Sequence, residues 1–222
     1  MKNDEIISKL LNDKNYMEFP AVLLASAEAA PLSKTGGLAD VVGTLPKSFR
    51  KMGIDARIIT PDHRVIKEKY AQAVKHMFDF RIPYLGSDAY VGVEKLILDG
   101  VVIYLIDNES FFGDKIYRGG YDEGAQYAYF CRAVLEVLPI LDFCPSVIHC
   151  NDWHTAMLPM LAKVQYAGRM QAGMKYLITI HNIAFQGKFG FPYVRELLGI
   201  DERFYTPEFM ELYGCASFLK AG

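Results

Sequence analysis

The chain has 222 residues, of which 51% are hydrophobic and 23% are charged, enough apolar material for one domain with its own core. Its 24 Lys and Arg against 26 Asp and Glu leave a formal charge of -2 without a long run of one sign, which argues against nucleic acid as the main partner. No apolar run reaches membrane-spanning length, and residues 1–5 are acidic where a signal peptide is basic. We therefore expect no membrane attachment and a cytoplasmic location.

The four cysteines lie among apolar or mixed neighbours and form no Cys-x-x-Cys pair, so we interpret them as buried thiols. They are Cys131, Cys144, Cys150 and Cys215. His149, Asp152 and His154 are close enough in sequence to suggest a metal site. No second ligand cluster accompanies them, and we predict that the protein binds no metal.

Apolar periodicity predicts alternating strands and helices along most of the chain. The predicted strands of a parallel sheet are residues 21–25, 56–60, 147–149 and 176–180. The predicted helices are residues 38–52, capped by Gly53, then 123–141 and 155–166, with a further helical pattern beyond Pro192. This alternation indicates an α/β fold, with a Rossmann-like parallel sheet that carries helices on both faces.

Two parts of the chain differ from this pattern. Residues 77–106 contain three predicted strands (77–83, 90–98 and 101–106) separated by short polar breaks, which favours a mixed or antiparallel section. Residues 107–121 are rich in glycine, aromatic and charged residues, as expected either of an ordered loop near a site or of an ordinary surface loop. We interpret residues 1–19 as a tail or short amphipathic helix and residues 20–222 as one domain.

Ligands of parallel α/β sheets bind where the carboxyl ends of the strands open into a crevice. Three segments of this chain follow predicted strands, namely residues 26–40, 150–154 and 181–187. Because the carboxyl ends of parallel strands meet at one edge of the sheet, we expect the three segments to converge. The side chains of Asp152 and His181 are then expected to open to one cleft.

The first of these segments contains Gly36 and Gly37 at the start of a predicted helix. Paired glycines let backbone N–H groups approach an anion, and the helix dipole and the nearby Lys34 add attraction, so the segment suits a diphosphate. The alternative is a plain strand-to-helix turn with Lys34 in solvent, and the segment alone supports both interpretations equally. Neither the Walker order nor the Gly-x-Gly-x-x-Gly fingerprint is present.

The other two segments carry polar side chains beside an aromatic one. Trp153, the only tryptophan, together with Asp152 suits a sugar ring, which has apolar faces and a rim of hydroxyls. Alone, this segment favours the alternative, in which Asp152 caps the next helix and Trp153 fills core space. His181 and Asn182 follow the next strand, and Gly187 lets their loop bend close to a ligand. A lone histidine there is more often structural, but the convergence of strand ends favours a site.

Three sequence stretches make a family resemblance specific. Residues 34–46 (KTGGLADVVGTLP), 151–154 (NDWH) and 179–187 (TIHNIAFQG) are similar to signatures of bacterial glycogen synthases and plant starch synthases. The similarity runs in order from about residue 22 to the end of the chain, and residues 1–19 lie outside it.

The resemblance implies an enzyme of the GT-B type, with two Rossmann-like domains across a cleft. Such an enzyme transfers glucose from ADP-glucose to the non-reducing end of an α-1,4-glucan, with retention of configuration and without a metal or cofactor. By match, Lys34, Gly36 and Gly37 contact the diphosphate region. Asp152 and His181 line the glucosyl and acceptor site as positioning and electrostatic groups. Around them the resemblance places Glu28, Asp40, Trp153 and Asn182.

One departure from the family pattern concerns length. The family has a C-terminal domain that carries most of the nucleotide pocket, and we expect this chain to be an N-terminal domain that is inactive without it. The alternative is a non-catalytic glucan- or nucleotide-binding module. A nicotinamide-dependent oxidoreductase is disfavoured because the dinucleotide fingerprint is missing. The choice between ADP-glucose and UDP-glucose stays open.

Overall fold

A computed structural model of the chain describes residues 21–222, and the predicted tail or helix at residues 1–19 lies outside the described residues. The main sheet has seven strands in the order β3-β4-β5-β2-β1-β6-β7. These are β1 Ala21–Ala25, β2 Asp55–Pro61, β3 Lys75–Tyr84, β4 Ser87–Leu98, β5 Val101–Asp107, β6 Val147–Asn151 and β7 Lys175–Thr179. The five strands β5, β2, β1, β6 and β7 are parallel to one another. This was predicted for β2, β1, β6 and β7, whereas β5 belongs to the section predicted as mixed or antiparallel.

The described helices connect these strands or flank them. They are α1 Gly37–Lys51, α2 Arg64–Tyr70, α3 Glu109–Phe112, α4 Gly120–Val137, α5 Trp153–Gln165, α6 Met170–Gly173, α7 Phe191–Leu198 and α8 Phe218–Ala221. Single turns of 3-10 helix occur at Leu138–Ile140 and Glu202–Phe204. The long helix predicted at residues 123–141 therefore begins earlier, as α4, and its last turn is a separate 3-10 segment.

The central strands β1, β2, β5 and β6 are mostly buried. Successive side chains of a strand point to opposite sides, so these strands contribute to a core layer on each face of the sheet. In β1, Leu23 and Ala25 belong to the core layer that includes α4 and α5. Leu24 belongs to the layer on the other face, together with Leu38 and Val42 of α1. The predicted α/β architecture with helices on both faces is thus confirmed.

The section predicted as mixed or antiparallel is also confirmed. Strands β3 and β4 pair antiparallel, and β4 pairs antiparallel with β5, so the sheet changes from parallel to antiparallel at β5. This arrangement puts the antiparallel hairpin at the edge that lies away from β1, β6 and β7. The ligand-binding edge expected from sequence is therefore formed by the parallel strands alone.

A second, three-stranded sheet was not predicted. It contains β8 Lys188–Phe189, β9 Glu211–Leu212 and β10 Cys215–Ser217, in the antiparallel order β8-β10-β9. Strands of two or three residues are too short to show an alternating apolar pattern, so periodicity does not detect them. None of the helices within residues 21–222 is long and apolar enough to cross a membrane.

All four cysteines are thiols in the structure. Cys131 and Cys150 are buried, as predicted, but Cys144 and Cys215 are only half-buried. The expectation of burial is wrong for these two because Cys215 lies in the small surface sheet and Cys144 in the connection that precedes β6.

Candidate active site

A cavity of about 700 Å³ opens at the carboxyl ends of β1, β6 and β7. All three predicted segments line it. The β1–α1 loop contributes Glu28 and the two glycines, the start of α5 contributes Asp152 and Trp153, and the segment after β7 contributes the pair His181 and Asn182. The predicted convergence of Asp152 and His181 on one cleft is confirmed, while their roles in binding or catalysis stay predictions.

Asp152 binds the loop that follows β7. Its Oδ1 accepts hydrogen bonds from the backbone N–H groups of His181 (2.7 Å) and Asn182 (3.3 Å). Asp152 occupies the N-cap position of α5, but its side chain makes no capping hydrogen bond, so the helix-cap interpretation holds for its position only. Its φ of 57° with ψ of -176° is a strained conformation for a residue with a side chain, and such strain persists where surrounding contacts compensate it.

The imidazole of His181 is also held by the protein. Its Nε2 lies 2.9 Å from Oδ1 of Asn151, the buried last residue of β6. Next to it, Nε2 of His149 lies 2.7 Å from Oγ1 of Thr179. Burial, reinforced by the nearby His181, lowers the pKa of His149. Asn151 belongs to the Asn-Asp-Trp-His motif, but no pattern in the sequence assigns it a separate role.

Gly36 and Gly37 leave open space in front of the backbone. Gly36 has extended φ and ψ of -148° and -164°, and Gly37 begins α1. A Cβ added at Gly37 meets nothing within 4 Å, and one at Gly36 meets only Glu28 Oε1 at 3.9 Å. The fold therefore does not require glycine at either position. This favours the interpretation in which the glycines let a ligand approach the helix start.

Glu28 is almost fully buried, and its Oε2 accepts a hydrogen bond from the backbone N–H of Thr35. Tyr117 lies beside this pair and lines the same cavity. Burial, reinforced by the charge of Glu28, raises the pKa of Tyr117, so its hydroxyl stays protonated. Tyr117 comes from residues 107–121, which supports the prediction of a loop near a site over that of an ordinary surface loop.

Trp153 is mainly a core residue. It is 5% exposed, and its ring contacts those of Phe189 and Phe218. The alternative in which this tryptophan fills core space is therefore supported, although it also lines the cavity. Gly187 lies against the indole rather than against the open cavity, because a Cβ there would be 2.4 Å from Trp153 Cε3.

Two further residues, His154 and Glu123, line the cavity. The sequence analysis considered His154 only as a metal ligand and gave Glu123 no role. Nε2 of His154 lies 3.6 Å from Oε1 of Glu123, and the imidazole packs beside Tyr117 and Tyr127. Burial lowers the pKa of His154, which the neighbouring Glu123 only partly offsets. Glu123 comes from α4, and no motif connects that helix with the strand-end segments.

Lys34 and Asp40 are not among the residues that line this cavity. The ammonium of Lys34 lies 2.7 and 2.8 Å from the two carboxylate oxygens of Asp40, and both side chains are about half exposed. Lys34 instead lines a neighbouring cavity of about 380 Å³ with Lys69 and Lys115. The contact of Lys34 with a diphosphate stays a prediction.

Within residues 21–222, no three or more His, Cys, Asp or Glu side chains are grouped so that they hold a metal ion. The three residues singled out from the sequence have different neighbours. His149 contacts Thr179, Asp152 binds the loop after β7, and His154 lies beside Glu123.

Comparisons of the sequence and the fold with known proteins point to one family. The family profile described as starch synthase catalytic domain matches residues 21–222. A glycogen synthase of Geobacillus thermodenitrificans is 46% identical over 200 residues, which are 90% of this chain and 41% of that protein. A glycogen synthase of Anoxybacillus flavithermus is 42% identical over 200 residues, with the same coverage of 90% and 41%.

A solved structure is similar over the same part of the chain. It is the catalytic domain of starch synthase IV from Arabidopsis thaliana, bound to ADP and acarbose. It superposes with a TM-score of 0.80 at 25% sequence identity, and the match covers 91% of this chain and 42% of that one. The chain thus spans about two-fifths of the length of the proteins that it matches.

Proposed function

Because this chain belongs to the starch synthase catalytic domain family, we propose that it forms the N-terminal half of a cytoplasmic two-domain glucosyltransferase. The donor is ADP-glucose, the acceptor is the non-reducing end of an α-1,4-glucan, and configuration is retained without a resident metal or cofactor. The observation that supports this most is that Asp152, His181 and the two glycines line one and the same cavity at the strand ends.

The charges around the cavity suit a neutral sugar. Its lining includes the carboxylates of Glu28, Glu123 and Asp152 but no Lys or Arg from the described part of the chain. Carboxylate oxygens accept hydrogen bonds from sugar hydroxyls, and Leu38 and Phe185 add apolar surface for the C–H faces of the ring. A diphosphate fits at the edge of this space, where the free N–H groups at the start of α1 attract negative charge.

The proposed reaction uses these groups for positioning and electrostatics. The bond between C1 of glucose and the diphosphate oxygen breaks while the acceptor hydroxyl oxygen bonds to C1 on the same face. The hydroxyl proton passes to the departing phosphate. Positive charge develops on the glucosyl ring, as in glycoside hydrolysis, and the carboxylate of Asp152 stabilises it from within the cavity.

The second candidate function is a glucan-binding module without catalysis. The absence of lysine and arginine from the cavity lining in residues 21–222 favours it, because neutral sugar binding needs no positive charge. The two functions differ in what a second domain adds. Only the transferase depends on a partner domain that holds the nucleotide and closes over the sugar.

A chimera tests the proposal. Residues 21–222 are joined to the C-terminal region of the Geobacillus thermodenitrificans glycogen synthase, and ADP release from ADP-glucose is measured with glycogen present. UDP-glucose in a parallel assay tests the donor preference. We expect turnover with ADP-glucose and its loss in the Asp152→Asn chimera. A folded chimera without turnover, together with glycogen binding by the chain alone, supports the binding module instead.

A further inference from the structure

Asn151 joins the carboxyl ends of three strands through one side-chain amide. Its Nδ2 donates to the backbone oxygen of Ala25, the last residue of β1, and to that of His149 on β6, each at 3.1 Å. Its Oδ1 lies 2.9 Å from Nε2 of His181, which follows β7. Asn151 itself is fully buried, so water does not compete for these contacts.

The orientation of this amide is set independently of His181. A backbone carbonyl oxygen accepts hydrogen bonds and cannot donate them. The oxygens of Ala25 and His149 therefore both require the NH2 group of Asn151. A flipped amide would place the acceptor Oδ1 against these two acceptor oxygens, at a high free-energy cost. Oδ1 consequently faces His181.

Because Oδ1 can only accept, Nε2 of His181 must carry the hydrogen between them. In a neutral imidazole the other nitrogen, Nδ1, is then unprotonated, and it makes no hydrogen bond with any residue in 21–222. We propose that Asn151 is a positioning residue that holds His181 in its Nε2–H tautomer and leaves Nδ1 as a hydrogen-bond acceptor beside the cavity.

This tautomer restricts what His181 can recognise. An unprotonated Nδ1 accepts from a hydroxyl and gives nothing to a phosphate oxygen, so the neutral side chain selects a hydrogen-bond donor on the ligand. This step rests on the proposed function, which supplies a ligand with hydroxyl groups. The tautomer itself follows from the protein alone.

The tautomer is measured directly by NMR. The chain is labelled with 15N-histidine, long-range 1H–15N correlations are recorded over a series of pH values, and the signals of the neutral imidazole are analysed. The His181→Gln variant assigns the signals by their loss. We expect a one-sided Nε2–H population and a slowly exchanging Nε2–H proton, because this proton is held against a buried acceptor. A dominant Nδ1–H form, or the mixed population of a free imidazole, overturns the proposal.

The Asn151→Ala variant tests the cause. Losing one neutral hydrogen bond is expected to raise the share of the Nδ1–H tautomer about fivefold and to speed exchange of the remaining Nε2–H proton. The matched control is Thr179→Val, which removes the partner of His149 and is expected to alter the signals of His149 but not those of His181. A folded Asn151→Ala variant with the wild-type His181 signals contradicts the role of Asn151.

The design separates this inference from the proposed function. The Asn151→Ala variant removes the amide donor to two buried carbonyls. If it does not fold, the spectrum of the wild-type chain still decides the tautomer. If His181 is in the Nε2–H tautomer but the chimera shows no turnover, the proposed function is contradicted and the role of Asn151 is supported. If the chimera turns over but His181 is in the Nδ1–H tautomer, the role of Asn151 is contradicted and the proposed function is supported.

Discussion

Asp152 and His181 are 29 positions apart, yet Oδ1 of Asp152 accepts the backbone N–H of His181 at 2.7 Å. The contact crosses from the end of β6 to the end of β7, two strands that pair in parallel. It fixes the loop that provides one side of the cavity. The carboxylate therefore has a structural role in addition to any contact with ligand.

The Asp152→Ala variant is expected to destabilise the chain by about 1.5–3 kcal/mol, the range for hydrogen bonds to a charged group. The Asp152→Asn variant keeps an acceptor for the same two N–H groups and is expected to lose clearly less. Urea unfolding of both variants measures the difference. Equal stability of Asp152→Ala and wild type would show that the two bonds contribute nothing to holding this loop.

Gly187 packs a positive-φ backbone against the indole of Trp153. In Gly187→Ala the new Cβ would lie 2.4 Å from the ring, so we expect the strain of the left-handed region, about 1–2 kcal/mol, plus an overpacking cost of about 1–3 kcal/mol. Gly214→Ala is the matched control, because Gly214 also has positive φ but nothing lies within 4 Å of its Cβ position. Thermal unfolding should place Gly187→Ala well below this control. Equal melting temperatures would mean that the Trp153 side chain shifts to accommodate the new methyl group without loss of stability.

Much of this site followed from the sequence because it depends on strand ends. The run after β1, the motif at Asp152 and the pair at His181 each follow an apolar strand, and parallel strands bring their carboxyl ends to one edge. The position of each motif directly after a predicted parallel strand was enough to predict that the motifs meet.

The features that were missed depend on contacts between distant elements. Glu123 reaches the cavity from α4, and no local pattern at that position points there. The composition of residues 107–121 predicted a loop near a site but did not single out Tyr117. Lys34 was assigned to the site but lies outside the cavity, and its ammonium pairs with the carboxylate of Asp40, six positions along the chain. Sequence reasoning assigned both residues to the site but did not foresee that they pair with each other.

Gly37 and Gly43 both lie on α1, but we predict opposite effects on stability when each is replaced by alanine. A Cβ at Gly37 meets nothing within 4 Å, so Gly37→Ala is expected to keep or slightly raise the stability of the chain while weakening the use of ADP-glucose by the chimera several-fold. A Cβ at Gly43 would lie 2.0 Å from the backbone oxygen of Ala30, so Gly43→Ala is expected to destabilise the fold. Unfolding curves and the KM for ADP-glucose distinguish the two. Unchanged kinetics in Gly37→Ala would contradict close approach of the ligand to this backbone.

Asp62, just after β2, introduces a pH dependence of stability. It is 3% exposed, its Oδ1 has no hydrogen-bond partner, and burial raises its pKa from 3.8 to about 7. Between these values the folded chain keeps a proton that the unfolded chain has lost, so this group lowers stability as pH rises. Asp62→Asn removes the effect. The variant is expected to match wild type near pH 4 and to gain at most about 4 kcal/mol above pH 7.

The neighbouring His63 acts in the opposite direction. Burial lowers its pKa from 6.5 to about 4, so the unfolded chain binds its proton more tightly and stability rises with pH across that interval. The two residues partly cancel in wild type, and Asp62→Asn should therefore show a steeper rise of stability with pH. Asp122→Asn, at an exposed position on α4, is the control and is expected to run parallel to wild type. Parallel curves for Asp62→Asn as well would show that the Asp62 carboxyl is not protonated in the folded chain at neutral pH.

The last prediction is that the 222-residue chain folds by itself but does not transfer glucose. Its sheet is covered on both faces by its own helices, and the core extends across both layers, so folding does not depend on a second domain. The chain should show one cooperative unfolding transition in urea, followed by both circular dichroism and Trp153 fluorescence.

Catalysis does not follow from folding, because the cavity is open on one side. A diphosphate at the start of α1 faces water there, and each contact with the N–H groups is weak when solvent screens it. We expect ADP-glucose binding on the order of millimolar, which corresponds to about 4 kcal/mol. Calorimetric titration with ADP-glucose and an ADP-release assay with glycogen test this. Turnover by the chain alone at the rate of the chimera would show that no second domain is needed to close the cavity. The two-domain proposal would then be abandoned.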